Sequence, residues 1–562
     1  MGGITNAIAG WGRNLKGFAG RFARARRGNV AMIFALSLPP LILMTLGGVD
    51  IHRASTVRVN LQDALDAAAL AAARSPYTTN AEITTVGLAA LKANLQAYPE
   101  ITLREDRTTF ALNSEGVVVA DAKVDVKALV ANIFLPPYGK FMDDKLPVGA
   151  HSEVFRSNKM VEIALVLDNT GSMSGSKLTN TKSAAVNLID RLAAADARSV
   201  EDDAVKIALV PFSMTVRVNS GFGTTNNRTS ASNLGWLSRS TNHTGSTGTT
   251  GLFSTGQDRF ALLDTLQIGW GGCIESRAYP YDVRDTAPNS GDQATMFVPY
   301  FSPDSPDDNT FPNDSRWEDF DYPNDYLDEP TTSLSGLISN LLGTLSSTLR
   351  IQAWDRLTKD ASKYTRTRLR SGIGVNLGPN QGCGLEPVMR LTDDFTGLKA
   401  AIGRMKATGN TNIPMGLMWG WHALSPNAPF RDGQPYGTER LQKIVILMTD
   451  GENVNSTASN PDNSVYSGAG LIWQERLGLG VSSSSSQRRA VMDDRLEELC
   501  GNLRTREIIV YTVGVQVDSR TQELLSGCAS QPANYFNVTN AADIGAAFDR
   551  IAGAIENLRI AK

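Results

Sequence analysis

Three oxygen-bearing side chains follow one another at the end of an apolar run: "VEIALVLD" ends in Asp168, and the next residues in "DNTGSM" bring Thr170 and Ser172. A second carboxylate, Asp450, ends another apolar run, "KIVILMTD". A third loop, "TGNTNIPMG", offers Thr411 just ahead of a helical stretch expected to begin near Pro414. Two carboxylates and three hydroxyls are hard oxygen donors, which suit a small divalent cation far better than a soft metal. Mg2+ is the expected ion, with Mn2+ or Ca2+ as alternatives. Because neutral hydroxyls outnumber anions, the ion keeps its electrophilic character and can accept a carboxylate from a protein partner. Taken alone, "DNTGSM" also reads as a helix N-cap, since Asp, Ser and Thr cap well. Three such loops together favour the metal.

These residues need a scaffold that brings the ends of apolar strands to one place. From Met160 the chain alternates buried-strand runs ("VEIALVLD", "VKIALVPF", "KIVILMTD", "EIIVYTVGV", "YFNV") with helical stretches. Leu178, Ala185, Leu188 and Leu192 recur at helical spacing, as do Ile544, Phe548, Ile551 and Ile555 at the end of the chain. Further helices are expected at Leu398–Met405, Pro414–Leu424 and Arg495–Leu503. Apolar strands alternating with amphipathic helices predict an α/β fold, a doubly wound and mostly parallel sheet covered on both faces. In such sheets ligands sit beyond the carboxyl ends of the strands, where Asp168 and Asp450 both lie. Residues 219–390 and 453–487 are rich in small polar residues and read as loop insertions, where additions cost little.

"DNTGSM", the Thr411 loop and "MTDGEN" together resemble the three-part metal-ion-dependent adhesion site (MIDAS) of von Willebrand factor A domains. The family pattern is Asp-x-Ser-x-Ser, and Thr170 stands here for the first Ser with its hydroxyl kept. The resemblance implies that Thr170 and Ser172 ligate the ion through their hydroxyls. It implies that Asp168 binds directly or through water, that Thr411 coordinates when a partner is bound, and that Asp450 acts through water. It also implies a Rossmann-like fold and a role in adhesion.

The chain has 562 residues, 42% of them apolar, which is ample for several cores. A formal net charge of −3 argues against a nucleic-acid binder. The basic residues are unevenly placed, however. Arg13, Lys16, Arg21, Arg24, Arg26 and Arg27 precede the apolar run Val30–Val49, with no acid among residues 1–27. An apolar run of roughly 20 residues behind a basic cluster predicts a single inner-membrane span with a cytoplasmic N-terminus and everything after Asp50 outside the cytoplasm. A cleaved signal peptide is the rival reading, but its apolar region is shorter and "TLGGVDIHR" offers no clean small-residue site. Pro39 and Pro40 are tolerable in a membrane helix.

Four cysteines, Cys273, Cys383, Cys500 and Cys528, all follow the span, and an even number in an oxidising compartment favours disulfides. Of the three possible pairings, Cys273 with Cys383 and Cys500 with Cys528 is preferred because these bridges do not cross. Zinc fits poorly, with no C-x-x-C and four scattered His.

The expected order is a basic cytoplasmic segment (1–28), an anchor (29–50), a helical stalk with a small α/β unit (51–158), and the α/β domain (159–562). The stalk is the Ala-rich run to about Arg74, and "TTFALNSEGVVVADAKVDV" reads as two strands about a turn, with Val117, Val119 and the following odd-numbered positions partly on one face. "GNVAMIFALSLPPLILMTLGGVD" with the Ala-rich helix behind it resembles the TadE and TadG proteins of tight-adherence (Flp) pilus assembly. Anchor, stalk, interrupted von Willebrand domain and "GGCIESR" fit the TadG-like arrangement best, which implies pilus-assembly components as partners. Prepilin-like relatives keep a Glu five residues after a processed Gly, but Ile33 stands there counted from Gly28, so prepilin-peptidase cleavage is not expected.

Three further features have ordinary explanations. The acidic stretch 304–329, with eight Asp, two Glu and one Arg, lacks the Gly and closing Glu of an EF-hand loop and reads as a solvated insertion. His422 in "WGWHAL" reads as a packing residue. Glu452 is the nearest candidate base for a hydrolase using the same ion, the alternative to a non-enzymatic binding role or to a surface adhesin contacting host or matrix.

Overall fold

The computed structural model describes residues 29–75, 77, 79–98, 101–113, 116–127, 145–155, 159–197, 199, 203–218, 234–239, 252–253, 258–305, 324–328, 358–458, 460 and 462–560. The chain divides into two compact units, one ending at Ser157 and one from Asn158 to Ala561.

Among the described residues of the first unit, one long helix, α1 (Asn29–Arg74), is followed by α2 (Asn80–Leu95) and four antiparallel strands: β1 (Thr102–Leu103), β2 (Thr109–Leu112), β3 (Val117–Lys127) and β4 (Lys145–Phe155). β4 pairs along the whole of one edge of β3, while β2 and β1 share its other edge. The turn between β2 and β3 uses Gly116 at φ 76°, a conformation that favours glycine. The core alternates along β3 through Val118, Ala120, Ala122, Val124 and Val126, so the even-numbered face points inward and the odd-numbered positions share the opposite face. The burial of Val117 at the strand's start makes the parity hard to read locally. From Val57 to Ala72, α1 contributes Leu61, Leu65, Ala68 and Ala69 to the same core. Toward its N-terminus the described apolar residues, such as Ile33, Leu36, Leu41 and Ile51, are exposed. Among the described residues no helix is long and apolar enough to cross a membrane. The expected anchor lies partly outside the described side chains, and the basic segment 1–28 lies wholly outside them.

Among its described residues, the second unit is a nine-stranded mixed sheet between two layers of helices. Its strands are β5 (Met160–Asp168), β6 (Val205–Phe212), β7 (Val216–Arg217), β8 (Cys273–Glu275), β9 (Val298–Pro299), β10 (Met389–Thr392), β11 (Leu441–Thr449), β12 (Ile509–Val515) and β13 (Tyr535–Val538). The order is β13-β12-β11-β5-β6-β7-β8-β9, with β10 also on β6. The strands from β13 to β6 are parallel, and the pairings of β7, β8, β9 and β10 are antiparallel. The central strands have nearly continuous apolar runs because both faces are covered. On β5, Ile163, Leu165 and Leu167 pack with α3 (Ser176–Asp196), α5 (Phe395–Arg404) and α9 (Ile544–Ile560). Ala164 and Val166 face the opposite layer, which holds α6 (Ile413–Leu424), α7 (Ser485–Thr505) and α8 (Ser519–Cys528), together with α4 (Arg259–Leu266).

The stretch 219–390 is more than a loop addition, which corrects the sequence reading. It supplies β8, β9 and the start of β10, and it buries Phe260, Trp270, Tyr300, Phe301, Tyr326 and Tyr364 in the domain core. The stretch 453–487 packs against it: the Gly468 carbonyl accepts the Ser276 amide while its own N–H donates to Met214 O after β6, and Tyr466 reaches the buried Glu275, which also pairs with Arg259 and Arg476. Cys273 is bonded to Cys383 and Cys500 to Cys528, with Cα separations of 5.8 and 5.1 Å. Much of the acidic stretch, 306–323 and 329, lies outside the described residues. Its described acids are structural: Asp304 pairs with Lys363 at 2.9 Å, and Asp325 and Asp328 pair with Arg370.

Candidate metal centre

β5 and β11 are neighbours, and the chain winds outward from β5 in opposite directions, to β6 on one side and to β11 on the other. The crevice of an open α/β sheet forms at such a reversal. Because Leu167 pairs with Met448, the strand ends are level and Asp168 comes beside Thr449. The Asp168 side chain is buried, with Oδ1 accepting the Thr170 amide at 2.8 Å and Oδ2 accepting the Thr449 hydroxyl at 2.6 Å. Burial pushes its carboxyl up to about 6, and nearby Asp450 adds to this, against the hydrogen bonds from Thr170 and Thr449.

Asp450 is also buried. Its Oδ1 accepts the Ser172 hydroxyl at 2.6 Å and its Oδ2 the Lys177 ammonium at 2.7 Å. Thr170 Oγ1 and Ser172 Oγ are 3.0 Å apart, so the two hydroxyls of the first loop and the Asp450 carboxylate form one chain of oxygens. Ser172 is exposed, which opens this chain to solvent.

Thr411 is delivered by α6, whose residues are all buried. Two glycines one turn apart let this helix press onto the sheet. A Cβ on Gly416 would stand 2.4 Å from the Phe212 ring, and one on Gly420 would stand 2.5 Å from Val166 Cγ2. Asn412 caps the helix by accepting the Met415 amide at 3.1 Å. The loop ahead of it is stitched to the others by backbone bonds: Gly171 N–H to Gly409 O, Thr408 N–H to Asn169 O, and Val454 N–H to Thr411 O. A methyl group on Gly451 would lie 3.4 Å from Thr411 Oγ1 and 3.8 Å from Ser172 Oγ, so both hydroxyls border the same small space.

The structure therefore brings Asp168, Thr170, Ser172, Thr411 and Asp450 to one place. Among the described residues no three His, Cys, Asp or Glu side chains gather as a metal cluster, so a cation here would rest on two carboxylates and three hydroxyls. That donor set fits a hard dication, and a buried carboxyl raised by desolvation beside a second carboxylate is stabilised by one. Thr449, Lys177 and Gly451 escaped the sequence reading. Thr449 stands next to Asp450 in "MTD", a signal visible only once the strand register is known. Glu452, the candidate base, is half exposed and ion-paired with Arg489. His422 is buried against Phe297 and Trp419, with ring centroids at 4.9 and 5.4 Å, as a packing residue should be.

Residues 28–75 match the Flp pilus-assembly TadE/G-like family, and residues 162–256 match the von Willebrand factor type A domain. The second match takes in β5, α3, β6 and the Asp168–Ser172 loop but stops short of Thr411 and Asp450. No curated protein is a significant match. Among solved structures, the chain is similar to the pilus adhesin SpaC from Lactobacillus rhamnosus GG, with 11% identity over 81% of this chain and 34% of that one and a TM-score of 0.29. It is similar to the von Willebrand domain of a type V pilus tip protein from Porphyromonas gingivalis (10% identity, 72% and 97% covered, TM-score 0.30). The pilus adhesin RrgA from Streptococcus pneumoniae gives 11% identity, 81% and 50% covered, and a TM-score of 0.31. The chain thus spans about a third of the first of these and half of the last.

Proposed function

From a chain that joins a TadE/G-like segment to a von Willebrand factor type A domain, we propose an envelope-anchored, non-enzymatic binding protein of Flp pilus assembly or adhesion. Its second unit grips an acidic side chain of a protein partner through a divalent cation, Mg2+ before Mn2+ or Ca2+. The observation that carries this reading is the convergence of Asp168, Thr170, Ser172, Thr411 and Asp450 from three loops. The ion supplies an electrophilic centre. Ser172 leaves that centre open to solvent, while Asp168 and Asp450 lie buried behind it. Pairing of Glu452 with Arg489 leaves the site without a free general base at that position, which favours gripping over hydrolysis.

The anchoring part of the proposal places residues 29–50 in the inner membrane with the basic segment cytoplasmic and the remainder periplasmic or directed to the surface. It is supported by the exposure of Ile33, Leu36 and Leu41 at 58–80% of their surface, an apolar stretch that water does not favour. Both disulfides fit an oxidising compartment.

The test is capture of partners from envelope extract by the full chain, with Mg2+ or with chelator, comparing wild type with Asp168→Ala. Capture that needs Mg2+ and is lost in the variant is expected. Equal capture by the two proteins, with or without Mg2+, would overturn the reading. Protease shaving of intact cells separates a surface adhesin, cleaved readily, from a component confined within the envelope.

A further inference from the structure

Lys177 is the second residue of α3, and its ammonium lies 2.7 Å from Asp450 Oδ2. Its side chain is 23% exposed, whereas that of Asp450 is fully buried. The first turn of a helix disfavours a cation, because the amide dipoles already present positive charge there. An ordinary surface lysine at this position would turn away into water; this one is held against a buried carboxylate at the edge of the metal loops. Asp450 thereby has both oxygens engaged, one by Ser172 and one by Lys177.

The charges of the site follow. Asp168 and Asp450 bring two negative charges and Lys177 one positive, so the site offers a dication a single net negative charge. Once the dication is in place the site is net positive by one, and an incoming carboxylate neutralises it. With a neutral residue at 177 the same site would attract the dication with twice the net charge but would be neutral when loaded, with no residual attraction for an anion. At a few ångströms and partial burial such a difference of one charge weighs heavily.

We propose that Lys177 sets the residual charge of the loaded site, weakening the hold on the dication and strengthening the grip of the loaded site on an anionic partner group. This rests on the metal-dependent reading above and deepens it by naming the residue that divides affinity between ion and partner.

The test uses the full chain in detergent, with Mn2+ as the ion and acetate as the carboxylate probe. Mn2+ binding is read by electron paramagnetic resonance of the free ion, and acetate binding by its effect on water-proton relaxation at bound Mn2+. Lys177→Gln and, independently, Lys177→Met should bind Mn2+ roughly tenfold more tightly than wild type, and their loaded forms should bind acetate roughly tenfold more weakly. Lys177→Arg, which keeps the charge, should stay within about threefold of wild type in both. Unchanged or weaker Mn2+ binding in the neutral variants, or undiminished acetate binding, would overturn the proposal. Asp168→Ala serves as the control that abolishes Mn2+ binding. If wild type and both neutral variants alike take up no Mn2+, the metal-dependent reading itself falls and this proposal with it. That result is distinct from one in which all bind Mn2+ equally.

Discussion

The Thr449 hydroxyl donates to Asp168 Oδ2 at 2.6 Å, tying together the ends of two neighbouring parallel strands. The bond aims the carboxylate of the first loop from a residue 281 positions away in sequence. Replacing Thr449 by Val keeps the volume and removes the donor. A buried carboxylate that loses a hydrogen bond costs about 1–3 kcal/mol, so Thr449→Val should lower unfolding stability by that amount in urea titrations. Mn2+ affinity should fall as well, because the carboxylate is no longer held in position.

Gly451 borders the Thr411 and Ser172 hydroxyls, and an added methyl would meet them at ordinary contact distance. Gly451→Ala should therefore leave stability within about 0.5 kcal/mol of wild type, the usual range away from packed cores. If the proposed cation binds here, Mg2+-dependent partner capture should nevertheless drop, since the methyl occupies space beside the two hydroxyls proposed to hold it. Capture at wild-type level would show that the ion lies elsewhere.

His422 is buried between Phe297 and Trp419, and desolvation pushes its ring down to about 4 from 6.5. The unfolded chain takes up a proton near 6.5 that the folded chain refuses until about 4, so the stabilisation is complete above 6.5 and is lost as pH falls toward 4. The loss approaches about 3 kcal/mol at the acid end. Asp168, raised to about 6, contributes in the opposite sense over the same range, so the measurement is the difference between the two proteins: in urea, His422→Phe should gain on wild type by about that amount as pH falls from 7.5 to 4.5.

The bridge between Cys273 and Cys383 closes a loop with a sequence separation of 110 residues, and the one between Cys500 and Cys528 a loop of 28. On the chain-entropy model these contribute about 5 and 3.5 kcal/mol. In calorimetry Cys273→Ser with Cys383→Ser should lower the melting temperature more than the matching pair of changes at 500 and 528.

Local pattern carried a good part of the reading. The runs ending in Asp168 and Asp450, and the helices after them, are apolar or periodic over enough residues that no competing structure buries them as well. The helix from residue 485 begins ten residues before its expected start at Arg495, because its first turns are polar and carry no stripe; the capping box of Ser484 and Gln487 marks the true beginning. Which face of β3 turns inward is not legible at its start, because Val117–Val119 is apolar on both faces.

By itself, the amino-acid sequence determined the central strands and the chemistry of the oxygen donors, since each depends on residue type and short-range period, whereas of the three cysteine pairings it only favoured the one the structure contains. Only the tertiary structure decided that β5 and β11 lie side by side with their ends level, that Lys177 turns onto Asp450 and Thr449 onto Asp168, and that the described residues between 219 and 390 extend the sheet and fill its core. Lateral strand order and the burial of sparse aromatics within Gly- and Ser-rich segments depend on contacts between residues far apart in the chain. No local period records them.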